Sequence, residues 1–444
     1  MSLPPTWQHY RRNFSLWTVE TAAWVFATAL IDSTTVLPVL VLTLSDSPFL
    51  ASLIISIRYG GQTLPQLLAA ALVSGRPTRK GFYVWVTLPG RLLLLWPALL
   101  LLTGHASPRL MVIAILLAYL AFWVSEGLSI VPWTDMLGKT VPPTRRGRLF
   151  ALMHIIGGVL GIGAGFFVRS ILNDPHLPFP RGYGIMFLMA VGGLAISTLA
   201  LGLLREPPSP PAEERYSAWA LVKDIPNILR GSAPFRLLVL VQALFGFAVM
   251  PAPLYILFAA DLLRAALPAM PAGSAAPGVG VFLAIQTAGM IVGNALLGHI
   301  GDSRGNRMLL RALALLHALV PLTAAVAGLI GRLHVPPWAL YLAFSPTFFA
   351  YGALLGSTWM GVTNYLLEIA PEHDRPAYIA VANALNLPAI VLPMLAGLVL
   401  PIIGYQPIFL VAAAVLLFTF LLTRLLKEPR AELAGQAEAG TYSM

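Results

Sequence analysis

The chain has 444 residues, of which 58% are hydrophobic and only 10% charged, against roughly 25% charged in a soluble globular domain, so lipid must be its main solvent. The net charge of +10 does not point to nucleic acid, because the bases sit in short clusters between apolar stretches and not on one face of a soluble module. The lack of cysteine excludes disulfides, iron–sulfur clusters and thiol chemistry.

A helix needs about 20 mostly apolar residues to cross a hydrocarbon core of roughly 30 Å. In chain order, such runs predict spans at 15–43, 49–73, 82–103, 110–135, 149–171 and 183–204. A second set follows at 236–262, 278–300, 309–331, 338–366, 377–402 and 407–426. Arg11 and Arg12 precede the first run, which is too long for a signal-peptide core and lacks a small-residue cleavage site, so it reads as a retained span. The expected fold is all-α: twelve transmembrane helices in two six-helix bundles. The divisions are a cytoplasmic N-terminus 1–14, a first bundle 15–204, a linker 205–235, a second bundle 236–426 and a cytoplasmic tail 427–444. Within the linker, Tyr216 to Arg230 mixes Trp219, Leu221, Ile225 and Leu229 with Lys223 and Arg230, the pattern of a short surface helix that Pro226 weakens.

Cytoplasmic loops carry an excess of Lys and Arg. Only Arg109, Arg169, Arg181, Arg264 and Arg332 fall on one side of the predicted spans, with Arg58 and Arg91 inside them. All other bases, including Arg76, Arg79, Lys80, Lys139, Arg145, Arg146, Arg148, Arg304, Arg307, Arg311 and Arg375, fall on the other. Both termini are therefore expected in the cytoplasm, as an even number of spans requires.

The halves repeat. Pro142 and Arg146, after the fourth span, recur as Pro371 and Arg375, both 229 residues later. Arg76 and Arg79 recur at a nearby offset as Arg304 and Arg307. A repeat of six spans in one orientation implies a pseudo-two-fold axis along the membrane normal.

The segment running from Gly298 through Asp302, Arg304, Gly305 and Asn306 to Arg307 resembles the cytoplasmic loop signature of the major facilitator superfamily, Gly-x-x-x-Asp-Arg-x-Gly-Arg-Arg. In that family the loop lies between spans 2 and 3 and again between spans 8 and 9, where both copies fall here. The resemblance implies a gating loop of Gly298, Asp302, Arg304, Gly305 and Arg307. It also implies the alternating-access transport of that family. The first copy, Val73 to Lys80, has no aspartate, so its acidic latch is missing; the second has Ser303 and Asn306 where the family prefers bases.

Ionisable groups at membrane depth are costly and default to functional hypotheses. Asp32 and Arg58 fall at one height by the rise per residue, and Arg91 and Glu126 at another. Each couple is expected to pair across neighbouring helices, as a substrate or proton site or as a static bridge. The resemblance puts the first span of each half on the cavity and the third at the periphery, favouring function for Asp32 and Arg58 and a bridge for Arg91 and Glu126. His154 lies near the cytoplasmic end, and Glu20 is expected to reach water.

The second half offers Gln242, Gln286, Asn294, Asn364, Asn383 and Asn386 with Tyr255 and Trp359. Asn383 and Asn386 are expected on one face of the eleventh span, with Pro388 breaking the helix after them. Gly157, Gly161 and Gly165 in span five, and Gly289 and Gly293 in span eight, allow close helix approach. The resemblance implies that these two spans meet. Span five lacks the Gly-Pro pair of the proton-coupled antiporters.

There is no Gly-rich phosphate loop and no His-Glu-x-x-His element, so neither ATP hydrolysis nor metal-dependent enzymology is expected. The expectation is a monomeric secondary transporter of an unidentified small solute in the inner (cytoplasmic) membrane. No cofactor, metal or nucleic acid is expected, with the bilayer and protons as further partners. The alternative is a non-transporting scaffold on the same fold.

Overall fold

A computed structural model describes residues 9–73, 76–208, 218–267, 277–371 and 375–428. Residues 1–8, Ser74, Gly75, residues 209–217 of the linker and the tail beyond Glu428 lie outside the described residues, as do the side chains of His154 and Arg375.

The first three predicted spans are each two helices in series. These are α1 (Tyr10–Leu30) with α2 (Val36–Ser45), α3 (Pro48–Thr63) with α4 (Gln66–Val73), and α5 (Lys80–Leu93) with α6 (Leu95–Thr103). Spans four to six are the unbroken α7 (Pro108–Thr140), α8 (Pro143–Leu172) and α9 (Arg181–Gly202). The predicted linker helix is α10 (Ala218–Gly231). The seventh span is α11 (Ala233–Val249) with α12 (Ala252–Ala266); the eighth and ninth are α13 (Val279–Arg304) and α14 (Asn306–Gly331). The tenth is α15 (Pro337–Leu354) with α16 (Ser357–Ile369), the eleventh α17 (Arg375–Ala384) with α18 (Pro388–Ile403), and the twelfth α19 (Tyr405–Leu422). Among the described residues, ten stretches are long and apolar enough to cross a membrane. The α1–α2 and α3–α4 pairs complete the twelve.

The punctuation is chemical. The Ser47 and Ser107 hydroxyls accept from the N–H groups of Leu50 and Leu110 at 3.3 Å, each with a proline at the first helical position. Gly104, at φ 68°, ends α6 in the left-handed conformation that glycine adopts without strain. The interruptions inside spans also have local causes. Asp32 to Thr35 carry side chains that compete for the backbone, Pro65 and Pro251 remove donors, and Gly356 sits at φ +84°. The break before Pro388, between α17 and α18, is the one expected from the sequence.

Contacts divide the chain into two compact units, Met1–Ala218 with Ile256–Thr287 and Trp219–Tyr255 with Ala288–Met444. The first therefore includes Ile256–Thr287, which the sequence assigns to the second bundle.

In the first unit, Trp17, Tyr83, Met136, Leu137, Leu149, Met153 and Leu201 form a buried apolar cluster that ties α1, α5, α7, α8 and α9 together. Glycines bring α3 onto α7: a Cβ on Gly127 would lie 2.3 Å from the Gly61 carbonyl oxygen, and one on Gly61 2.8 Å from the Trp123 Cβ. Gly127→Ala is therefore expected to push the helices apart and cost about 1–3 kcal/mol, read as a fall in Tm.

Span five does meet span eight: Gly161 and Gly165 abut Thr287 and Ala284 of α13, and Gly280 abuts the Arg169 backbone of α8. Not all the expected glycines serve that seam. Gly157 faces Val25 of α1, whereas in the second unit Gly289 and Gly293 let α13 approach Phe349 and Ala353 of α15.

Candidate functional site

The break in the first span is a turn built on one carboxylate. Asp32 Oδ1 accepts from the backbone N–H groups of Thr34 and Thr35, both at 2.8 Å, and from their hydroxyls at 2.6 and 2.8 Å. An aspartate that bonds the backbone two and three residues on closes an Asx-type turn, and α2 starts after it at Val36, with Thr35 at the N-cap position. The Thr34 hydroxyl also lies 3.2 Å from the side-chain amide of Gln286 on α13, inside the same unit.

Arg58 of α3 reaches this turn. Its Nη1 donates to Ser33 Oγ at 2.9 Å, and its guanidinium lies 5.1 Å from the Trp123 ring centroid, within the range of a cation–π contact. The expected partners Asp32 and Arg58 thus hold adjacent residues of one loop, the carboxylate from within and the guanidinium from the neighbouring helix.

Arg91 and Glu126 meet as expected, with Nε donating to Oε1 at 2.9 Å. Arg91 is 2% exposed. Its Nη1 donates to Thr198 Oγ1 at 2.7 Å, Ser197 Oγ at 3.1 Å and the Leu194 carbonyl at 3.2 Å, and its Nη2 to Tyr83 Oη at 2.9 Å. The other carboxylate oxygen of Glu126 accepts from Trp24 Nε1 at 3.1 Å.

Trp24 packs edge-on against Trp123, centroids 6.4 Å apart, and Trp123 lies one turn from Glu126 on α7. The two pairs are therefore joined, from the Asp32 turn through Arg58, Trp123 and Trp24 to Glu126 and Arg91.

Glu20 departs from expectation. It is 4% exposed rather than at the water interface. Its oxygens accept from Thr21 Oγ1 at 3.0 Å and Ser197 Oγ at 3.4 Å. Its position near the start of the first predicted span suggested water, but α9 packs over it. Ser197 and Thr198, too, carry no sequence signal beyond being hydroxyls in an apolar run.

In the second unit, Asn383 is half-buried near the end of α17, but Asn386 lies in the break and its N–H donates to the Asn383 carbonyl at 3.2 Å. The single helical face expected for the two is thus replaced by a turn, because Pro388 starts a new helix. Gln242 Nε2 donates to the Ala382 carbonyl at 3.2 Å beside this break, and a Cβ on Gly246 would touch Pro388 at 2.6 Å. His317, buried on α14 with Nε2 2.9 Å from Thr358 Oγ1, is an ionisable group that the charge count passes over.

The loops between spans two and three and between spans eight and nine are latched alike. In the second unit Gly298 is half-buried and Asp302 and Arg304 are exposed near the end of α13. Gly305, at φ +83°, turns the chain, and a Cβ there would lie 2.6 Å from Glu428 Oε1. Glu428 accepts from the Arg307 N–H at 3.3 Å, and Asn306 Nδ2 donates to Glu368 at 2.8 Å.

In the first unit the missing aspartate is supplied from elsewhere. Glu206 accepts from the N–H groups of Arg79 and Lys80, each at 2.9 Å, while Asp135 pairs with Arg79 at 3.2 Å and with Lys139. A carboxylate at a helix N-terminus satisfies free donors and meets the positive end of the dipole. The signal was present: Leu203-Leu204-Arg205-Glu206-Pro207 recurs as Leu425-Leu426-Lys427-Glu428-Pro429.

A sequence model of the Major Facilitator Superfamily matches residues 21–386, with a second match over 254–442. Uncharacterized proteins of Mycobacterium tuberculosis and Mycobacterium bovis are each 25% identical over 272 residues, 59% of this chain and 48% of their own length. The chain thus spans about half the length of the curated relatives it matches. Among solved structures, the nucleoside transporter NupG superposes with a TM-score of 0.66 at 13% identity, covering 94% of this chain and 99% of its own. A bacterial homologue of the iron transporter ferroportin in an inward-facing state gives 0.65 at 13%, covering 94% and 98%. The Escherichia coli fucose:proton symporter FucP gives 0.54 at 18%, covering 95% and 100%. At such identities the likeness is one of fold.

Proposed function

Because the chain belongs to the major facilitator superfamily and is a multi-pass membrane transporter rather than an enzyme, we propose that it is a secondary active transporter of a small polar solute. It works by alternating access across the cytoplasmic membrane, coupled to protons. The observation that carries this reading is the interrupted first span, where Asp32, Ser33, Thr34 and Thr35 gather with Arg58 and Gln286. Irregular backbone at membrane depth is tolerated where it lines a cavity or is buried in protein, and broken helices commonly form transporter binding sites.

In this site Asp32 shapes the turn and supplies negative charge. Arg58 supplies positive charge, and Ser33, Thr34 and Gln286 offer neutral donors and acceptors. Trp123 gives a flat apolar wall. The second unit has polar groups of its own at the break of Asn383 and Asn386, beside Gln242. The Lys and Arg bias supports both termini in the cytoplasm. The Glu206 and Glu428 caps supply the rigid corners about which loops 2–3 and 8–9 engage and release during the cycle.

The test is a thermal-shift screen of the purified chain against solute classes at two pH values, followed by uptake of the best hit into proteoliposomes. A transporter loses flux in the double variant Asp32→Asn/Arg58→Gln while still folding. Flux that survives double neutralisation overturns the site, and a protein that moves no solute in the screen fits a scaffold instead.

A further inference from the structure

The cluster around Arg91 holds two carboxylates and one guanidinium. Glu20 on α1 and Glu126 on α7 are both buried, at 4% and 7% exposure, and Arg91 on α5 is bonded directly to Glu126. Ser197 Oγ joins the two sides, accepting from Arg91 at 3.1 Å and lying 3.4 Å from Glu20 Oε1. Fully ionised, these three groups leave one negative charge without a counter-charge in a low-dielectric interior, a costly arrangement that buried groups avoid by taking up a proton.

The hydrogen bonds say which carboxylate takes it. Both oxygens of Glu126 face groups that can only donate, Arg91 Nε and Trp24 Nε1. Protonating Glu126 would set a hydrogen against one of them and weaken the pair. The close hydrogen-bond partners of Glu20 are hydroxyls, Thr21 Oγ1 and Ser197 Oγ, which can accept as readily as donate, with the Trp133 indole as a weaker donor beside them. A carboxylic acid fits there by rotation of a hydroxyl.

We propose that Glu20 carries an exchangeable proton and is the proton-binding residue of this chain, with Ser197 linking its protonation state to Arg91. Arg91 and Tyr83 on α5 and Glu126 on α7 are the described ionisable groups that surround it; α9 presents Ser197 and Thr198. On α8, His154 lies one turn before Gly157, which faces Val25 of α1, and the side chain of His154 is outside the described residues, so it enters the test. The role in coupling rests on the transporter reading, but the proton is observable without a substrate.

The experiment is infrared spectroscopy of the purified full chain in lipid at neutral pH, in water and in deuterium oxide, with Tm measured in parallel. The native protein is expected to show the carbonyl band of a buried, protonated carboxylic acid, shifted by deuterium. The band is lost in Glu20→Gln and kept in Asp32→Asn and His154→Gln, and it weakens in Glu126→Gln, which frees the Arg91 charge for Glu20. Glu20→Gln, a neutral stand-in for the acid, keeps its Tm within about 2 °C of native, whereas Glu126→Gln loses roughly 5 °C or more.

The proposal is overturned if the native protein lacks the band, if the band survives Glu20→Gln in a folded protein, or if it disappears in His154→Gln. A sodium-dependent rise in Tm of the native chain, absent in Glu20→Gln and unaccompanied by the band, would assign the site to a metal cation instead and so overturn the proton. Loss of flux without loss of the band would separate failure of the transporter reading from failure of this one.

Discussion

Arg91→Met is expected to cost the chain about 3–5 kcal/mol, the range for breaking a buried ion pair, and to leave most of it unfolded on purification. The guanidinium is shared by Glu126 on α7, by Ser197, Thr198 and the Leu194 carbonyl on α9, and by Tyr83 on its own helix. Its loss strands the Glu126 carboxylate in an apolar interior with Trp24 as its one remaining donor. The double variant Arg91→Met/Glu126→Gln is expected to recover much of that stability, since it removes the stranded charge along with its partner. Size-exclusion profiles and Tm in detergent check both. If the double variant is as unstable as Arg91→Met, the contacts to α9 matter more than the pair.

The second large effect is at Asp32, where shape and charge separate. Asp32→Ala removes an acceptor used by two N–H groups and two hydroxyls and is expected to destabilise by about 1–3 kcal/mol, the cost of leaving buried donors unsatisfied. Asp32→Asn keeps an oxygen acceptor in place and changes mainly the charge. It is expected to hold its Tm but to bind the transported solute at least tenfold more weakly, about 1.4 kcal/mol. Ligand-induced thermal shifts measure this. Equal solute affinity in native and Asp32→Asn would reduce the carboxylate to a support of the turn.

The twelve spans were legible because a helix in lipid must be long and apolar whatever it packs against, and the order of elements follows the predicted runs throughout. Arg91 and Glu126 were legible for the same reason: a charge in such a run stands out, and helical rise places it in depth. The Asp32 turn was harder. Asp-Ser-Thr-Thr inside an apolar run signals side chains that bond their own backbone, but depth alone does not tell that Arg58 Nη1 donates to Ser33, the next residue to Asp32. Glu20 was misjudged because distance along a helix does not report what covers it; α9 does, through Ser197. The loop latch was missed by looking for its aspartate nearby, when the carboxylate arrives from Glu206, more than a hundred residues on.

The Glu206 and Glu428 caps follow the repeat. Each follows a sixth span, each is flanked by the same Leu-Leu-basic-Glu-Pro string, and each closes onto a helix start within its own unit. The fastening is thus complete twice, once per half, as expected of two six-span repeats in one orientation. A cut in the linker beyond Glu206 would leave each clasp on its own half of the chain.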